Sequence, residues 1–154
     1  MIFFIRSGRL GFRPGLGSVY IPPMQCPYCR APLTETSKEC PSCQLSLHSA
    51  NALLGPVPRF DRGLTDTVGV LAKGSDKKIR HALATLSKRF PQVDMHVLIK
   101  KFDRQYPIGT HLFWLFNQGE FCPSDRKGGK NHSILLGLDP QQGRIGLIVG
   151  YGLE

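Results

Sequence analysis

Four of the chain's five cysteines fall within "MQCPYCRAPLTETSKECPSCQLSL", residues 24–47, as two Cys-Pro-x-Cys pairs. Cys26 and Cys29 make the first pair, Cys40 and Cys43 the second. Two residues between thiols let both sulfurs face one point across a tight turn whose N–H groups can donate to thiolates. Two such pairs complete a tetrahedral four-sulfur site, the donor set that suits Zn²⁺. The ten-residue spacer Arg30–Glu39 is long enough for a hairpin between two knuckles. A redox Cys-x-x-Cys occurs once and opens a helix after a strand. Here the motif occurs twice, and no apolar strand precedes it. Disulfides within each pair would suit a secreted chain, but no export signal is legible. The expected reading is a structural zinc ribbon with Cys26, Cys29, Cys40 and Cys43 as metal ligands. The ligand set is full, so no position is left for a catalytic water. Its role is to fold a segment too small to bury its own core.

Other reactive side chains are less organised. Cys122 lies between Phe121 and Pro123 without the neighbours of a nucleophile signature, and reads as a partly buried thiol. His48 reads as a surface histidine. His81, His96, His111 and His132 are scattered, with no pair four apart on one helix. No Gly-x-Gly-x-x-Gly or Walker loop occurs; "RKGGK" is basic and Gly-rich but lacks the strand–loop–helix context. Asp61, Asp66, Asp94, Asp103, Asp125 and Asp139 fall near element edges, where carboxylates can bind Ca²⁺ or Mg²⁺ but more often cap turns.

The elements that position these groups can be read from periodicity. "GSDKKIRHALATLSKRF" is an amphipathic helix with Ile79, Leu83, Leu86 and Phe90 on one face, Ser75 or Asp76 as its cap, and Pro91 as its stop. "VDMHVLIKKF" is a strand with Val93, Met95, Val97 and Ile99 on one face and Leu98 on the other. "GTHLFWLFNQ" is a short buried helix. "SILLGLD" and "RIGLIVGYG" are strands joined through Pro140–Gly143 as an antiparallel hairpin. Gly55, Pro56 and Pro58 mark a connection. The fold class is α/β, a mixed sheet with helices against it.

The 154 residues carry a formal charge of +9, which four bound thiolates and one Zn²⁺ would lower by two. The excess is diffuse, and aromatics are not interleaved with it, which argues against a single-strand stacking groove. The apolar start "MIFFI" is too short for a signal peptide or a span, so residues 1–23 read as a disordered or over-extended start ahead of Met24. Reduced thiols without an export signal point to the cytoplasm.

Two stretches carry a family resemblance. "TDTVGVLAKGSDKKIRHALATLSKRF" has Asp66, Gly69 and Leu71 ahead of the amphipathic helix, and "NHSILLGLDPQQGRIGLIVGYGLE" ends the chain with Gly-Tyr-Gly-Leu-Glu. Together they resemble the TPM-domain family, named for thylakoid-lumen, photosystem-repair and receptor-modulator members. Residues 102–132 depart from the family pattern. A zinc ribbon ahead of such a domain is an arrangement known in bacteria. The resemblance implies an α/β/α sandwich and this division: ribbon 24–47, linker 48–59, TPM-like domain 60–154. Family domains continue past this motif with further helices, so the last unit is expected to be incomplete at its C-terminus, with an apolar sheet face uncovered.

The leading function is a binding or assembly module with a protein partner. One alternative is a divalent-metal-assisted phosphatase acting on phosphomonoesters, for which the resemblance nominates Asp66 and Glu154, with Ca²⁺ or Mg²⁺ as the ion; a basic side chain such as Arg144 could steady the phosphate, although its place in a strand points rather to packing or surface exposure. Another is nucleic-acid binding by the ribbon, where Arg30 and Lys38 are offset by Glu35 and Glu39.

Overall fold

The computed structural model describes residues 24–34, 36–122 and 129–153. Among these residues, three α-helices and four strands build a mixed α/β fold. They are α1 (Leu47–Leu54), β1 (Leu64–Asp66), α2 (Ser75–Arg89), β2 (Asp94–Ile99), α3 (Ile108–Gln118), β3 (Ser133–Asp139) and β4 (Arg144–Val149). The sheet order is β1-β2-β3-β4; the first three strands run parallel and β4 returns antiparallel. The expected hairpin is present, with Asp139 opposite Arg144 and Gly137 opposite Gly146.

Two apolar clusters lie on opposite faces of the sheet. Alternation along β2 assigns them: Leu98 packs on one side, Val97 and Ile99 on the other. On the second face, Ile79 and Leu83 of α2 cover Leu64, Val97 and Ile99. On the first, α3 is buried from Thr110 to Phe116. It lies between β3–β4 and α1 with the cysteine segment, so apolar residues around most of its circumference find cover. Gly137 and Gly146 face it as a cross-strand pair. A Cβ at either position would strike Leu112, so the two glycines let α3 close onto the sheet.

Two local features differ from expectation. Within the stretch read as a connection, Leu47–Leu54 is helical, started by a capping box in which Ser49 N donates to Ser46 Oγ (3.2 Å) and Ser46 N donates to Ser49 Oγ (2.9 Å). The residue before α2 is Gly74 at φ 85°, and neither Ser75 nor Asp76 caps the helix; Asp76 instead pairs with Arg80 one turn on. A Cβ at Gly150 would meet the carbonyls of Lys130 and Asn131, so close approach of the backbone requires the glycine there.

Beyond α2, the second face over β3 and β4 is open. Ile145 is 67% and Leu147 51% exposed, opposite the half-buried Leu138 and Leu136. Among the described residues, no helix is long and apolar enough to cross a membrane.

Candidate metal centre

Each cysteine pair sits on a small knuckle, and the two have the same hydrogen-bond pattern. In the first, Cys26 N donates to Ala31 O (2.9 Å) and Arg30 N to Cys26 O (3.0 Å). In the second, Cys40 N donates to Leu45 O (2.9 Å) and Gln44 N to Cys40 O (2.8 Å). The residue after the second cysteine of each pair is left-handed, Arg30 at φ 64° and Gln44 at φ 58°. Isolated antiparallel bridges Gln25–Pro32 and Glu39–Ser46 close the knuckles.

These turns bring the four sulfurs together, all within 4.8 Å of one another. Cys26 and Cys43 are 3.6 Å apart, Cys29 and Cys40 3.5 Å. A tetrahedral zinc with ordinary zinc–sulfur bonds sets an edge of about 3.8 Å, so the spacing fits the ion. Cys26 and Cys40 are buried, Cys43 is half-buried and Cys29 is exposed.

The four thiols do not share one electrostatic environment. Burial, with the neighbouring thiols adding, pushes Cys43 up to about 12. Burial also raises Cys26. At Cys40 burial acts the same way, but the N–H groups of Cys43 and Ser42 and the Cys29 side chain outweigh it and bring the thiol down to about 7. Four adjacent thiolates would repel one another, and a metal ion held among them would supply the compensating charge.

The knuckles are anchored to the rest of the chain. Thr110 Oγ1 donates to Pro27 O (3.0 Å), the Tyr28 and Tyr106 rings lie 6.0 Å apart, and Trp114 Nε1 donates to Asn51 Oδ1 in α1 (2.6 Å). Cys26, Leu33, Cys40 and Leu45 belong to the same apolar cluster as α3.

The carboxylate candidates are placed differently. Asp66 ends β1 and accepts from the backbone N–H groups of Val68 (2.9 Å), Gly69 (2.8 Å) and Leu71 (3.3 Å). Burial works to raise its pKa, but those N–H bonds hold it below the ordinary value. Both oxygens therefore hold the loop after β1. Glu154 and Asp125 lie outside the described residues, as do Glu35 and residues 1–23. Arg144 donates to the carbonyls of Phe102 (2.9 Å), Asp103 (3.1 Å) and Tyr106 (3.1 Å) and faces Asp139 at 3.4 Å, so its guanidinium clamps a loop. His48 is exposed and Cys122 half-buried, as read from the sequence.

Sequence reasoning gave no role to His96 and placed Asp139 only among the edge carboxylates that cap turns or bind a hard cation; both are buried, and Asp139 Oδ1 accepts from Gln142 N (3.2 Å). His96 Nε2 lies 3.1 Å from Thr65 Oγ1, and its Nδ1 has no hydrogen-bond partner among the described residues. Comparison with models of known families, with curated proteins and with solved structures finds no match.

Proposed function

We propose that Cys26, Cys29, Cys40 and Cys43 hold one Zn²⁺ as a structural ion, and that the chain is a zinc-supported binding and assembly module for a protein partner, its α/β part of the TPM type. The observation that carries this reading is the convergence of four sulfurs within 4.8 Å on paired knuckles. A four-thiolate shell leaves zinc no site for water or substrate, so its contribution is to folding. The phosphatase alternative is weakened by Asp66 and Arg144, since the Asp66 carboxylate and the two terminal nitrogens of Arg144 are engaged with the protein's own backbone.

The test is metal analysis of the purified protein before and after a chelator, with p-nitrophenyl phosphate turnover on the same samples. The expected result is one zinc per chain, no visible absorption from iron, and no turnover with or without added Mg²⁺ or Ca²⁺. Absence of a tightly held metal would remove the zinc centre. Turnover that requires a divalent ion and is lost in Asp66→Asn would replace the binding module with a phosphatase.

A further inference from the structure

Part of the chain's positive charge gathers on one surface of α2. Ile79 and Leu83 turn toward the sheet, and the outer side carries Lys77, Lys78, His81, Thr85, Lys88 and Arg89, all exposed. Their spacing, three and four residues apart, is that of one helical face. Lys73, also exposed, lies just before the helix.

No carboxylate interrupts this face. The single acidic residue of α2, Asp76, is paired with Arg80 at 3.0 Å. Asp61, Asp94 and Glu120 lie along the neighbouring flank, where they line a cavity with Arg80, Leu83 and Ser87. Among the described residues, Lys77, Lys78 and Lys88 enter no ion pair. The Arg89 guanidinium lies 5.6 Å from the Phe90 ring. The field of these cations adds to that of a chain carrying +9.

The other side chains on the face decide which anion it suits. Ala82 and Thr85 stand among the cations, and no large apolar group does. Phe90, 40% exposed, continues the sheet-facing row of Ile79, Leu83 and Leu86 instead. A basic patch without an apolar anchor holds poorly to a lipid surface. Lysine is depleted from protein–protein interfaces, so an acidic protein surface is a poor match. No Phe, Tyr or Trp stands on the face for unpaired bases to stack on. A base-paired phosphate backbone meets all three conditions. Ammonium groups are point charges that suit phosphate oxygens. The 15 residues of α2 run about 22 Å, the length of about six base-pair steps. The helix has no Asn or Gln to read the edge of adenine, so the contact is independent of sequence.

We propose that the outer face of α2 docks on the phosphate backbone of a double-helical nucleic acid through Lys77, Lys78, Lys88 and Arg89. The helix packs on the sheet face opposite the cysteine knuckles, so this interaction stands apart from the metal centre.

The full-length protein should be titrated into a labelled DNA duplex of about 20 base pairs, read by fluorescence anisotropy from about 50 to 200 mM KCl, with an RNA duplex in parallel. Saturable binding should weaken along a log–log slope of about −3.6, from four phosphate contacts at about 0.9 each. Lys77→Gln combined with Lys88→Gln should bring the slope to about −1.8 and weaken binding about tenfold at the lowest salt. Lys38→Gln combined with Lys101→Gln removes the same charge from exposed side chains outside α2 and should leave affinity within about threefold. Both double variants should keep the wild-type amide spectrum, since all four side chains are exposed. Equal losses in the two double variants would reduce the effect to net charge and overturn the proposal. So would absence of binding to both duplexes at the lowest salt, or a strong preference for one duplex sequence. Tighter binding to a single strand, to polyglutamate or to phosphatidylserine vesicles than to duplex would overturn it in favour of that partner.

Discussion

A carboxylate at 1% exposure needs a reason to stay charged, and Asp139 has several. It accepts from Phe102 N (3.0 Å), Gln142 N (3.2 Å) and Gln142 Nε2 (2.7 Å), and Arg144 stands 3.4 Å away. Burial alone would raise its pKa; the Phe102 and Gln142 N–H groups and Arg144 instead bring it below the ordinary value. A depressed folded-state pKa contributes stability above the unfolded value of about 3.9 and loses it as pH falls through the folded value. Asp139→Asn should therefore cost about 2–4 kcal/mol in urea unfolding at pH 7, because Arg144 keeps its charge without a counterion. The gap between variant and wild type should close as the pH drops below about 4. Equal stability at pH 7 would show that Arg144 is held by its carbonyls alone. His96 has the same sign for a different reason. Burial lowers it to about 4, so the fold favours its neutral form. The stability tied to that neutrality is complete above about pH 6.5 and falls by about 3 kcal/mol as the pH drops toward the folded value. Imidazole carbon shifts of His96 should accordingly remain those of a neutral ring at pH 5; a protonated ring there would contradict the burial argument. His96 was not legible as special in the sequence, and Asp139 stood out only as one of six edge carboxylates, with nothing to show its burial. Cysteine spacing is local chemistry, whereas Asp139 and His96 acquire meaning only when strand register brings Phe102, Arg144 and Thr65 to them.

At the scale of elements, legibility followed length and periodicity. The helix over 75–89, the strand over 94–99 with its two faces, the buried helix over 108–118 and the hairpin all show a repeat long enough to read. β1 has three residues, too few to alternate, and exists because Leu64 pairs with Val97 far along the chain. α1 was obscured because its capping box uses Ser49 where Glu or Gln is usual. The knuckles contain a sequence departure of their own, since Arg30 and Gln44 occupy left-handed positions where glycine fits without a Cβ penalty. Gln44→Gly should raise stability by about 0.5–1 kcal/mol, seen as a higher urea midpoint of the zinc-loaded protein, because relief of the left-handed strain exceeds the added backbone entropy. A lower midpoint would mean that Gln44 makes a compensating contact. The converse holds under α3. Gly146→Ala places a methyl 2.6 Å from Leu112 Cδ1 in a buried layer, so it should cost about 1–3 kcal/mol. Unchanged stability would mean that α3 can lift off the sheet freely.

For the whole molecule, the two-faced sheet decides how loss of metal spreads. Cys26 and Cys40 share an apolar cluster with Leu112, Phe113 and Trp114 of α3, while α2 packs on the opposite face against Leu64, Val97 and Ile99. Stability is not uniform across such a fold, and the face that loses a support opens first. Removing the proposed zinc, or substituting Cys40→Ser, should therefore raise amide hydrogen exchange through residues 24–54 and α3 before α2. Thr110 and Trp114 are the early reporters, because their side chains bond directly to Pro27 and Asn51. Two controls give the result its meaning. Zinc returned to the chelated wild type should restore protection of α3, and zinc added to Cys40→Ser should not. If α2 and α3 lost protection together, the sheet would be transmitting the loss as one cooperative unit. If neither changed, the four thiols would contribute nothing to the packing of α3, and the structural role of the metal would fall with them.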